Sequence, residues 1–99
     1  MFKFIIERNI PNAGKLPLAD RAAITAKSNS VLRELGPDVQ WVESFVAADK
    51  IYCVYVAQSA DLVREHAKRG GFPADAINEV KFTLDPTMGN VGGPTFEGH

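Results

Sequence analysis

Val39-Gln40-Trp41-Val42-Glu43-Ser44-Phe45-Val46 and Ile51-Tyr52-Cys53-Val54-Tyr55-Val56 are the two strongest β runs in the chain, separated by a short polar connection around Ala48, Asp49 and Lys50. Both are dense in β-branched and aromatic residues, and together they predict an antiparallel hairpin. Strand side chains point to opposite sides in turn, so Tyr52, Val54 and Val56 share one face, and Ile51, Cys53 and Tyr55 share the other. Both faces are apolar, and neither reads as a simply solvated surface.

Working outward, Leu18 to Leu35 carries Ile24, Val31, Leu32 and Leu35 at helical spacing. Pro17 stands where a first turn needs no amide donor, Gly36 supplies the cap, and Pro37 forbids continuation. Ser28 lies four residues after Ile24 and puts a hydroxyl on this stripe. Upstream, Phe2 to Arg8 predicts a strand that alternates Phe2, Phe4, Ile6 and Arg8 on one face with Lys3, Ile5 and Glu7 on the other. Downstream, Ser59 caps a second helix whose stripe is Leu62, Val63, His66 and Ala67, with Gly70-Gly71 at its end. A last strand is expected where Val80, Phe82 and Leu84 alternate with Glu79, Lys81 and Thr83, up to Pro86.

The order is βαββαβ, which predicts an α+β, ferredoxin-like sandwich: a four-stranded antiparallel sheet with both helices on one face. One domain is expected over residues 1–86, followed by a flexible, glycine-rich tail over 87–99. With Trp41, Phe45, Cys53 and Tyr55 as candidates to line the uncovered face, a bare sheet exposes more apolar surface than a monomer usually tolerates. Sheet-to-sheet homodimerisation is the expected remedy.

The 99 residues, 45% hydrophobic and 23% charged, fit one small domain. Eleven basic against twelve acidic side chains, a net charge of -1, give no global field for nucleic acid or anionic lipid. No apolar run reaches the roughly 20 residues of a membrane span, and the charged start is unlike a secretory segment. The expected location is cytoplasmic. One cysteine, Cys53, excludes an intramolecular disulfide and a cysteine-cluster zinc site.

His66 is the sharpest candidate for chemistry, because imidazole ligates divalent metals and exchanges protons near neutral pH. Its bland reading is a ring packed on the sheet and satisfied by backbone or by Tyr52. Glu7 and Glu43 are the sheet carboxylates available to serve with it as metal ligands, each weighed against an ordinary rim salt bridge. Tyr52 joins His66 and Glu7 as a candidate if the protein is an enzyme. Cys53 reads as a small buried hydrophobe, and Ser28 as bonded within its own helix unless it meets His66. The only other histidine, His99, closes the tail.

Trp41-Val42-Glu43-Ser44-Phe45-Val46, Asp49-Lys50-Ile51-Tyr52-Cys53-Val54-Tyr55 and Arg64-Glu65-His66-Ala67-Lys68-Arg69-Gly70-Gly71-Phe72-Pro73-Ala74 resemble a bacterial family of small proteins long catalogued as a domain of unknown function. One branch of that family is described as nickel-binding. The resemblance runs from Phe4-Ile5-Ile6-Glu7-Arg8 to Asp85-Pro86. It implies a ferredoxin-like dimer in the cytoplasm, Ni(II) or another divalent transition metal as ligand, and no organic cofactor. The leading expectation is a dimeric metal-binding protein. Two rivals stand beside it: a cofactor-free isomerase, cyclase or oxygenase with a pocket between helices and sheet and His66 as acid or base, and a non-catalytic structural or regulatory dimer.

Overall fold

The computed structural model describes residues 1–90, so all but the first few residues of the expected tail lie outside the described part. Strand β1 (Phe2–Asn9) is followed by helix α1 (Leu18–Leu35), strands β2 (Val39–Val46) and β3 (Lys50–Ala57), helix α2 (Ala60–Gly70) and strand β4 (Ala76–Glu79). Short 3-10 turns occupy Ala13–Lys15 and Pro86–Asn90. The sheet order is β2-β3-β1-β4 with every neighbouring pair antiparallel. This is the ferredoxin-like arrangement the sequence predicts.

The helix boundaries follow from local chemistry. Gly36 sits at φ +83°, a backbone region costly for any residue with a Cβ, and its N–H closes α1 on the Leu32 carbonyl. Ser59 Oγ accepts from the Leu62 amide to start α2, and Gly71, left-handed at φ +72°, ends it.

The core is a single layer between sheet and helices, built on Phe4, Ile6, Val39, Cys53, Tyr55 and Val63. Side chains of this size contribute about 1.5–3 kcal/mol each when fully buried. Helix α2 presses Val63, His66 and Ala67 into that layer, as its stripe predicts. Helix α1 buries only Ser28 and Val31, while Leu18 and Ile24 in its first half stay exposed. The first half of α1 therefore does not close on the sheet, and a cavity lies beneath it.

Two expectations are corrected. The last strand is Ala76–Glu79, where Ile77 pairs with Ile6, and not the Glu79–Leu84 alternation. Pairing with β1 ends after Val80 donates to the Lys3 carbonyl, leaving Phe82 76% and Leu84 70% exposed. Second, Trp41, Cys53 and Tyr55 do not line the open sheet face. A bulge between Trp41 and Glu43 shifts the β2 register, so Trp41 pairs with Tyr55 on the helix side while Phe45 pairs with Tyr52 on the open side.

Candidate functional site

Arg8 decides the chemistry beneath α1. Strand alternation places it on the inward face with Phe4 and Ile6, and it is only 4% exposed. Its guanidinium donates through Nε to Cys53 Sγ at 3.3 Å, through Nη2 to the Tyr55 hydroxyl at 3.3 Å, and through Nη1 to the Pro73 carbonyl. The cation also lies 5.6 Å from the Phe72 ring centre and 6.0 Å from that of Tyr55. No carboxylate pairs with it among the described residues, so its charge is held by neutral dipoles and aromatic faces.

Arg8 forms part of a cavity of about 280 Å³ between the sheet and the first half of α1. Thr25, Ser28, Ser44 and Tyr55, which carry hydroxyls, and the thiol-bearing Cys53 line it as well. Ile10, Leu16, Ile24, Trp41, Ile51 and Phe72 supply the apolar walls. Trp41 Nε1 donates to Ser44 Oγ at 2.9 Å, which fixes the indole at the wall. Arg21 stands at the α1 side, its Nε held by the Leu16 carbonyl at 2.9 Å.

His66 is fully buried behind Ser28. Its Nε2 lies 3.0 Å from Ser28 Oγ, and its Nδ1 has no hydrogen-bond partner. The ring packs between Tyr55, centre to centre 5.1 Å, and Phe72 at 5.6 Å. Burial, reinforced by the nearby Arg8 cation, pushes its pKa from 6.5 down to about 4, so the imidazole is neutral at physiological pH. Burial likewise raises the Tyr55 pKa, against the opposing pull of Arg8, and keeps the phenol a hydrogen-bond donor. Ser28 bonds this ring and not a carbonyl of its own helix.

The sheet separates the other sequence candidates from His66. Glu7 pairs with Tyr52 across β1 and β3, and Glu43 pairs with Val54 across β2 and β3, which puts Glu7, Glu43 and Tyr52 on the open face. Glu7 there meets Lys50 at 3.4 Å. Because His66 lies on the helix side, the cluster of His66 with Glu7 or Glu43 does not form within one chain, and Tyr52 does not serve the histidine. Among the described residues no three His, Cys, Asp or Glu side chains converge as a set able to hold a metal ion. Arg8 is the residue that sequence reasoning passes over; a charge that alternates with Phe4 and Ile6 on one strand face is its available signal.

No described helix is long and apolar enough to cross a membrane. No curated protein matches the chain. The crystal structure of SCO4226 from Streptomyces coelicolor A3(2) is similar in fold, with a TM-score of 0.70 at 20% identity over 83% of this chain and 99% of that one. Residues 4–80, nearly the whole sandwich, match the description "Nickel responsive protein SCO4226-like". The chain belongs to the SCO4226-like family of nickel responsive proteins.

Proposed function

We propose that this protein is a cytoplasmic homodimer, joined through the open sheet faces, that binds nickel or a similar divalent transition metal between the two copies. The observation that carries this reading is one face bearing both unpartnered apolar surface and the sheet carboxylates. Ile5, Val54 and Val56 lie on it with Tyr52 and the half-exposed Phe45. A surface of this kind is an association site by ordinary standards.

The same face holds Glu7 and Glu43, on the two strands that flank β3. Within one chain these donors do not converge, so a single copy does not fit the ion. A second copy doubles the carboxylates on the face, and Glu7, Glu43 and the Tyr52 phenol then form an all-oxygen set that accepts divalent ions without selecting an intermediate one over a hard one. Membership in a nickel responsive family favours nickel among these. His66, enclosed and engaged by Ser28, is a core residue in this reading and not a ligand.

Calorimetry with Ni(II) on untagged protein tests it. Saturable binding is expected, weakened at least roughly tenfold, or about 1.4 kcal/mol, by Glu7→Gln or Glu43→Gln and unchanged by His66→Phe. Full-strength binding in a Glu7→Gln, Glu43→Gln double variant, or its loss in His66→Phe alone, overturns the assignment.

A further inference from the structure

The cavity beneath α1 is independent of the open sheet face, and the nickel reading makes no use of it. Its chemistry is specific. A guanidinium has five N–H donors, and Arg8 directs three of them to Cys53, Pro73 and Tyr55. Two remain, on a cation 96% removed from solvent and without a carboxylate partner among the described residues. An unpaired buried charge is costly, and proteins that keep one usually pair it with something. Among the described residues no Asp or Glu lines the cavity.

The remaining groups limit what that partner is. Tyr55 offers a protonated phenol beside the guanidinium, and Ser28 is held in place by His66. With the ring proton on Nε2, His66 donates to Ser28 Oγ and leaves the serine O–H to donate toward the Tyr55 hydroxyl, on the cavity wall. One fixed cation flanked by neutral hydroxyls matches a single negative charge, and the planar fork of an arginine matches a carboxylate. Arg21 also lines the cavity, but it is exposed and its Nε is held by the Leu16 carbonyl, which leaves Arg8 as the buried cation there. The rest of the lining is apolar and aromatic, and about 280 Å³ lies just under the range of roughly 300–1,000 Å³ that holds drug-sized ligands.

We propose that this cavity is a binding site for a small monocarboxylic acid with a flat or branched apolar body, its carboxylate on Arg8 and Tyr55 and its body against Trp41, Ile51 and Phe72. Arg8 thus serves as the anchor, Tyr55 as a second donor positioned by Ser28 and His66, and the open first half of α1 as the entrance.

Titration of the full chain in metal-free buffer with phenylacetate, its neutral isostere phenylacetamide and inorganic phosphate tests the site, read by Trp41 fluorescence and calorimetry. Phenylacetate is expected to saturate in the millimolar range or below, the amide to bind at least roughly tenfold more weakly, and phosphate neither to bind nor to compete. Arg8→Gln is expected to reduce phenylacetate binding to the level of the amide. Thr25→Phe, at a lining residue of α1 that makes none of the guanidinium bonds, is expected to fill the cavity and abolish binding while circular dichroism stays native. Should Arg8→Gln fail to fold, the acid-to-amide ratio and Thr25→Phe decide the matter. Equal binding of acid and amide, undiminished binding in a folded Arg8→Gln or in Thr25→Phe, competition by phosphate, or no saturable response to phenylacetate overturns the proposal. None of these outcomes bears on nickel binding at the opposite face.

Discussion

Acidification is expected to destabilise this protein in large part through His66. The pKa of His66 is about 4 in the folded chain and 6.5 as an ordinary histidine. The unfolded chain therefore binds more protons throughout that window. The neutral ring's contribution to stability is complete above pH 6.5 and is lost as pH falls toward 4. At 1.36 kcal/mol per pH unit, the loss amounts to about 2 kcal/mol by pH 5 and about 3 kcal/mol by pH 4. Small domains hold only about 5–15 kcal/mol in total. Urea unfolding followed by Trp41 fluorescence at fixed protein concentration measures it: with a slope of about 1 kcal/mol/M, the midpoint falls by about 2 M between pH 7 and pH 5. His66→Phe places an uncharged ring in the same aromatic slot between Tyr55 and Phe72. Subtracting its pH profile from that of the native chain removes what the carboxylates contribute. If the two profiles run parallel, the neutral buried state of His66 is refuted.

Three further outcomes follow from the same geometry. Ser28→Ala leaves both ring nitrogens of His66 without a partner and is expected to cost about 1–3 kcal/mol, whereas Ser28→Ala combined with His66→Phe costs less than the two changes summed; chemical denaturation reads both. Gly70→Ala places a Cβ 2.2 Å from the Phe72 ring, which must move off His66 and Arg8. The result is a loss of about 1–3 kcal/mol and a His66 pKa raised toward 6.5 as water reaches the ring, seen in an NMR titration. Ser59→Ala removes the cap of α2 and lowers stability by about 0.5–2 kcal/mol without altering the cavity; an unchanged melting temperature would count against the cap.

How far the sequence carries depends on whether a residue's position is set locally. Helix α1 and strand β2 fall where Pro17, Gly36 and the β-branched run place them, because caps and periodicity act within a few residues. His66 was visible as an inward residue for the same reason. Its partner Ser28 lies 38 positions away, and only the packing of α1 on α2 brings the two together. The bulge that separates Trp41 from Phe45 depends on pairing with β3, and the early end of β4 depends on its register against β1. Both are long-range choices that alternation alone does not encode. Glu7 and Glu43 were legible as sheet carboxylates, yet their separation from His66 needed the helix side of the sheet to be known.

The homodimer stands or falls on mass. Sedimentation equilibrium of the untagged chain at micromolar concentration is expected to give twice the chain mass of 10.8 kDa. Val54→Lys, which puts a charge at the centre of the open face, is expected to return the mass to 10.8 kDa with its circular dichroism intact. A native chain that sediments at 10.8 kDa, with and without Ni(II), contradicts assembly through this face and the metal site built on it.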